Sequence, residues 1–204
     1  MPMHDDPVTA RAFWVRSPGS AGIQPEALAP LAPGEVQVQT LFSGISRGTE
    51  SLVYSGSVPQ SQYEAMRAPF QSGDFPGPVK YGYISVGVIE EGPAERIGER
   101  VFCLYPHQDR YRVQGSAALP LPADLPPGRA VLAANMETAI NALWDAAPMV
   151  GDRIVVIGAG VLGLLVAWLC RQIPGAEVML IDVNPARGEI ARAWGLPFAP
   201  HADP

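Results

Sequence analysis

The stretch GDRIVVIGAGVLGLL, residues 151–165, decides how the C-terminal end of the chain folds. Ile154–Ile157 is a short, wholly apolar run, the pattern of a strand covered on both faces. Glycines follow at Gly158, Gly160 and Gly163, ahead of an apolar helical run that Pro174-Gly175 stops. Gly158 permits a tight turn, Gly160 lets the backbone approach a pyrophosphate, and Gly163 lets helix pack closely on strand. The amides of Val161, Leu162 and Gly163 then lie at the positive end of that helix, where phosphates bind. A second strand, Glu177–Ile181, ends at Asp182, 19 residues after Gly163. An acidic side chain there accepts hydrogen bonds from ribose hydroxyls. Strand, helix, second strand and acid at its tip agree, and together they read as dinucleotide binding. The Asp182 carboxylate repels a 2′-phosphate, so NAD is expected over NADP. Arg187 can accommodate such a phosphate if it swings inward.

Outward from this motif, the bulk numbers describe an ordinary globular protein: 204 residues, 48% hydrophobic and 17% charged. A net charge of −6 with no basic stripe argues against a nucleic-acid partner. Cys103 and Cys170 lie far apart, and His4, His107 and His201 do not cluster, so no structural zinc site is expected. MPMHDDP at residues 1–7 is polar and acidic, unlike a signal peptide, and a reduced, cytoplasmic location is the expectation. The uncharged run Ile154–Cys170 has 17 residues and is broken by glycines, which is too little for a membrane span.

The first 120 residues read mostly as β. Glu35–Thr40 alternates apolar and polar, while Tyr83–Glu90 and Arg100–Tyr105 are β-branched and aromatic. Most of the 22 prolines fall in connections, where they break helices. Many short strands with Pro/Gly turns suggest a barrel-like domain. Residues 57–78 form a longer connection, helical at most over Gln60–Arg67, that reads either as a lid or binding loop or as a surface excursion. A proline-rich bridge at 119–130 leads into a helical run at 130–147. The domain boundary is placed near Met149.

Over nearly its whole length the chain resembles the medium-chain dehydrogenase/reductase superfamily. The resemblance is carried by LFSGISRGTESLVYSG (41–56), YGYISVGVIEEGP (81–93), GERVFCLYPH (98–107) and METAINALWDAAPMVGDRIVVIGAGVLG (136–163). It implies a fold of α/β plus β class: a GroES-like β-barrel catalytic domain with its connecting helix over 1–148, then a Rossmann doubly wound parallel sheet from 149. It also implies an oxidoreductase that moves hydride between NAD(H) and a small-molecule alcohol or carbonyl substrate. The phrase SGIS-x-GTE is similar to the zinc-less branch of bacteriochlorophyllide a dehydrogenase; the 57–78 connection departs from that branch, and the substrate does not transfer with so short a motif.

Zinc members of the superfamily read GICxTD and GHExxGxV, with a Cys or Glu before the connecting helix. Here those positions carry Ser46, Tyr83 and Ala134, which do not make a catalytic zinc site. No metal is expected. Proton transfer must then fall to side chains. Tyr83 offers a phenol, and Ser46, Thr49 and Glu50 in the other ligand loop could complete a relay. Tyr83 reads equally as a packed core aromatic, and Glu50 as a solvated or paired carboxylate. By resemblance, Arg47 faces the pyrophosphate and Thr138 contacts the nicotinamide.

The sequence after 149 supplies strand, helix, strand and a second helix (185–194), then ends at HADP. It looks like a superfamily member cut short inside its cofactor domain: the first, incomplete half of the Rossmann sheet, with an open hydrophobic edge. Little or no turnover is therefore expected of these 204 residues alone. A quinone or enoyl reductase, or a non-catalytic nucleotide-binding fragment, stays open beside the alcohol/carbonyl reading, and so does homo-oligomerisation.

Overall fold

The structure, a computed structural model, describes residues 8–200. His4 and His201 lie outside them. The chain divides after Val131 into two compact units.

In the first unit β1 (Thr9–Ser17) and β2 (Ser20–Ala27) form an antiparallel hairpin about Gly19, whose φ of +73° suits the turn. Then come β3 (Glu35–Ser43), α1 (Arg47–Ser55), β4 (Ser72–Gly73), β5 (Val79–Lys80), β6 (Ser85–Glu91), β7 (Arg100–Cys103), β8 (Arg110–Gln114), β9 (Leu119–Pro120) and α2 (Pro127–Ala130). They make two antiparallel sheets, one ordered β8-β3-β6-β7-β9 and one ordered β2-β1-β5-β4. Val36, Val38, Ile89, Val101 and Tyr111 fill the core of the larger sheet. Val15, Val53, Phe75, Val79 and Tyr81 form a second core under the smaller one.

Two stretches differ from the sequence expectation. Residues 47–55, expected as a loop, form the helix α1; Glu50 reaches back so that its Oε1 accepts the Ser46 amide at 2.7 Å, and Gly56 at φ +66° ends the helix. In the 57–78 connection the only helix is a short 3₁₀ turn at Gln60–Gln62 in place of two helical turns, since Pro59 and Pro69 bracket it, and the short strand β4 follows. It is pinned rather than loose. Val58, Ala68 and Phe75 are buried, and the Met66 carbonyl accepts the Tyr81 hydroxyl at 2.8 Å.

The second unit contains α3 (Ala133–Ala146), β10 (Arg153–Ile157), α4 (Val161–Cys170), β11 (Glu177–Ile181), α5 (Arg187–Ala193) and β12 (Phe198–Ala199). Helix α3, grouped with the first domain in the sequence reading, packs on α4. The parallel sheet has the order β10-β11-β12. Its third strand was missed in the sequence because two residues after Pro197 carry no periodicity. Gly188 leaves room for it: a Cβ there would lie 2.8 Å from the Phe198 ring. The run Ile154–Ile157, expected to be covered on both faces, is covered on one. Ile154 and Val156 join Leu143, Leu164, Val178, Leu180 and Ala191 in a core, whereas Val155 and Ile157 are exposed. Among the described residues no helix is long and apolar enough to cross a membrane.

Candidate active site and nucleotide cradle

Ser43 ends β3, Glu50 sits on the first turns of α1, and His107 lies in the link between β7 and β8. The fold brings the three together. Ser43 Oγ is 2.5 Å from His107 Nδ1, and His107 Nε2 is 2.5 Å from Glu50 Oε2. Imidazole and carboxylate side chains are only 14% and 13% exposed, so water screens their interaction little. Glu50 is held on its other oxygen by the Ser46 amide. Gly82, at φ +130°, makes room for the ring: a Cβ would lie 3.0 Å from His107 Cδ2 and Nε2.

The flanks of His107 are equally fixed. The Gln108 carbonyl accepts the Thr40 hydroxyl at 2.6 Å, and Asp109 accepts the Arg11 amide at 2.7 Å and its Nε at 2.9 Å. Burial is the largest influence on the Asp109 carboxyl and pushes its pKa up, but the Arg11 amide, guanidinium and charge outweigh it and hold the group below the usual carboxylate value. The Gln108 side chain accepts from the buried Lys80 ammonium at 2.7 Å, which also pairs with Glu26 at 2.6 Å. A lysine only donates, so this bond fixes which end of the amide is oxygen.

The serine hydroxyl has one proton and two acceptors, His107 Nδ1 and the Ile84 carbonyl at 3.1 Å. If it donates to Nδ1, then Nε2–H donates to the Glu50 carboxylate, and a neutral imidazole satisfies the cluster. If it donates to Ile84, then Nδ1–H donates to Ser43 Oγ, and a further proton must lie between Nε2 and Oε2. The two arrangements differ by one proton and by rotation of one hydroxyl. This is the behaviour of a proton relay.

The cluster opens on a cavity of about 590 Å³ whose wall is largely apolar, with Phe13, Ile23, Ile45, Val53 and Tyr54 beside Ser43, His107 and Glu50. That volume suits a drug-sized or smaller organic ligand. Tyr81 also lines it, but its proton is committed to Met66, and burial, then the nearby Tyr83 and Glu50 charges, raise its pKa to about 12.

In the second unit the fingerprint forms a cradle. Gly158 has φ +102°, and a Cβ on Gly158 or on Gly160 would meet nothing within 4 Å. A Cβ on Gly163 would lie 1.7 Å from the Gly158 carbonyl oxygen, so only glycine lets α4 start so close to the β10 turn. No side chain caps α4, which leaves the amides of Val161, Leu162 and Gly163 for an anion. Asp182, just past β11, accepts the Asn184 and Ala159 amides at 2.7 Å each. These bonds, with the Arg187 charge behind them, hold its carboxyl below the ordinary range. Each oxygen keeps a lone pair for a ribose hydroxyl. The residues present therefore fit a dinucleotide.

The sequence-derived candidates are distributed as follows. Glu50 stands in the cluster. Ser46 precedes α1 and contributes its amide, Thr49 lies on α1, and Arg47 is the exposed first residue of that helix. Tyr83 packs edge-on against Tyr81, ring centres 6.1 Å apart, and is absent from the cavity wall. Thr138 lies on α3, its hydroxyl donating to the Ala134 carbonyl at 3.0 Å. Sequence reasoning missed Ser43 and His107; the glycines that admit them, Gly44 and Gly82, were the available signal. At the three superfamily metal positions Ser46, Tyr83 and Ala134 supply no donor set for zinc, and among the described residues no three His, Cys, Asp or Glu are grouped to hold a metal.

Paired antiparallel sheets are followed by a parallel sheet with a glycine fingerprint, an arrangement that solved chains share. No family model matches the chain. An L-threonine 3-dehydrogenase from Shewanella frigidimarina is 34% identical over 80 residues, 38% of this chain and 23% of that protein. The 2-desacetyl-2-hydroxyethyl bacteriochlorophyllide A dehydrogenase of Cereibacter sphaeroides is 36% identical over 97 residues, 45% of this chain and 26% of that protein. An alcohol dehydrogenase from E. coli CFT073, solved with NADH, superposes with a TM-score of 0.74 at 20% identity, over 94% of this chain and 62% of that one. A quinone oxidoreductase from Thermus thermophilus gives 0.68 at 24% identity, over 93% and 59%. The matches span about a quarter of these curated relatives and about three-fifths of the solved chains. These similarities support a place in the medium-chain dehydrogenase/reductase superfamily.

Proposed function

We infer that the protein is an NAD(H)-linked, zinc-independent oxidoreductase acting on a largely apolar alcohol or its carbonyl counterpart, with Ser43, His107 and Glu50 as its proton relay. We assign the antiparallel first unit to the GroES-like class on the same reading. The observation that carries the proposal is the pair of 2.5 Å contacts linking serine, imidazole and carboxylate at the wall of an apolar cavity.

Nicotinamide, when bound, accepts or supplies the hydride. The proton is the protein's task. In oxidation, the substrate hydroxyl gives its proton to Ser43 Oγ as the serine passes its own to His107 Nδ1. Glu50 stabilises the imidazolium so formed. Reduction runs the same path backwards, from the proton-rich arrangement to the forming alkoxide. The apolar wall excludes water from the transfer. Asp182 favours NAD(H), since its ionised carboxylate accepts from ribose hydroxyls and repels a phosphate. Ser46, Tyr83 and Ala134 in place of metal ligands support chemistry without zinc.

The test is a panel of C6–C10 primary and secondary alcohols, with 1,4-benzoquinone as comparison, assayed with NAD or NADH on the whole protein and on its His107→Gln variant. Alcohol oxidation with recovery of the carbonyl product, lowered about 10²–10⁴-fold by the substitution, is expected. Quinone reduction without alcohol turnover, or unchanged kcat in the variant, refutes the reading.

A further inference from the structure

Ser43 has a second property that hydride transfer does not use. A hydroxyl in hydrogen-bond reach of an imidazole, itself oriented by a carboxylate, is the arrangement that activates a serine as a nucleophile. Here the nucleophile faces Nδ1 and the acid faces Nε2, both at 2.5 Å. Ser43 is itself exposed and stands on the cavity wall. Gly44 follows it and allows the strand end its close approach: a Cβ there would lie 2.6 Å from Val131 and 2.7 Å from Ile84. The imidazole cannot turn away without losing Glu50 and meeting Gly82.

We propose that Ser43 is an acylation site, and that this cavity accepts acyl esters with a good leaving group and apolar acyl chain and hydrolyses them without any nucleotide. Ser43 Oγ attacks the ester carbonyl while His107 Nδ1 takes its proton. The bond from carbonyl carbon to the leaving oxygen breaks, and the imidazolium returns the proton to the departing alkoxide or phenoxide. Water then attacks the acyl-serine, His107 again accepting a proton and handing it back to Ser43. The sum is ester plus water to acid plus alcohol, with no change in oxidation state. Phe13, Ile23 and Val53 line the space the acyl chain fills.

The experiment mixes the protein with p-nitrophenyl acetate and p-nitrophenyl hexanoate, with no nucleotide present. It follows p-nitrophenolate release and locates the acyl group by mass spectrometry of the tryptic peptide 17–47. A burst of product, faster for hexanoate, with the acyl group on Ser43, is expected. Ser43→Ala and His107→Gln should each slow acylation about 10²-fold or more, and Ser43→Cys should restore a covalent adduct in a protein of unchanged melting temperature. The proposal is overturned if no burst exceeds the Ser43→Ala level, if the acyl group sits on His107 or elsewhere, or if the cysteine variant, folded, fails to react. Because no nicotinamide takes part, failure here leaves the hydride reading standing, and failure of that reading leaves this one to be judged alone.

Discussion

Alanine placed at two glycines of the fingerprint, three residues apart, should give opposite results. At Gly163 the added Cβ lies 1.7 Å from the Gly158 carbonyl oxygen and 2.9 Å from its carbon, both backbone atoms that cannot rotate away. An ordinary carbon–oxygen contact is above 3 Å, so the first turn of α4 must lift by more than 1 Å from β10. Leu164 and Ala167 then withdraw from Val178 and Leu180, and gaps of that size forfeit a quarter to a half of each dispersion contact. Overpacking of this kind costs about 1–3 kcal/mol, and more where nothing can yield. Alanine regains about 1 kcal/mol of helix propensity. The net loss is about 2 kcal/mol, which for a unit of this size lowers its melting temperature by about 8–16 °C. At Gly160 the Cβ meets nothing within 4 Å, and the backbone, φ −75° and ψ −176°, accepts any residue. Loss of glycine before the helix costs about 0.5 kcal/mol, a few degrees at most. The methyl group does obstruct a pyrophosphate approaching the helix start, so NADH should bind about tenfold more weakly or worse, about 1.4 kcal/mol. Trp144, Trp168 and Trp194 lie in this unit and report both experiments by fluorescence. A Gly163→Ala protein that melts like wild type refutes the packing argument. A Gly160→Ala protein with unchanged NADH affinity refutes the cradle.

Two further outcomes follow from the carboxylates. Asp182→Asn replaces a charged acceptor by a neutral one, and hydrogen bonds to an ionised partner are roughly twice as strong as neutral ones, so NADH affinity should fall about tenfold while NADPH affinity changes little, as read by parallel titrations; an unchanged ratio assigns the ribose preference elsewhere. Asp109, held below its ordinary value, binds fewer protons folded than unfolded, so its contribution to stability is complete above the unfolded pKa and is lost as pH falls through the folded one. The melting-temperature gap between wild type and Asp109→Asn should be flat from neutral pH down to the ordinary aspartate range and close as the pH falls below it. It is a small gap, since Arg11 is 73% exposed, and a gap that widens in acid contradicts the assignment.

The turn geometry of the glycine fingerprint was legible in the sequence because its parts are local. Gly158, Gly160, Gly163 and Asp182 fall within one strand-helix-strand unit, where Gly158 answers to a positive φ, Gly163 to a close helix–strand approach and Asp182 to its place at the strand tip. The strands around them were less so. Alternation found β3 and β-branched content found β6, but β2 carries Pro25 and small or polar residues, and β12 is too short for any period to show. Exposure of Val155 and Ile157 could not be read either, since an apolar run looks the same whether one face is covered or two.

The Ser43–His107 half of the cluster was illegible for a different reason. Ser43 and His107 stand 64 residues apart, and neither neighbourhood declares the other. What joins them is sheet register: β3 pairs with β6 so that Ser43 faces Ser85, and β6 pairs with β7 so that Ser85 faces Cys103. The chain leaving β7 therefore delivers His107 next to the end of β3. Gly82 completes the geometry. Where zinc-binding superfamily members place a histidine after this glycine, the chain has Tyr83, and the imidazole that packs on Gly82 comes from residue 107 instead. An imidazole thus lies against the same glycine but is supplied by another strand's exit. It faces a carboxylate and a hydroxyl, a pairing suited to moving protons. Substituting Gly82 by alanine should therefore lower relay-dependent turnover, because its Cβ would press on the imidazole at 3.0 Å, while nucleotide affinity, assigned to the Gly158–Gly163 turn, should hold.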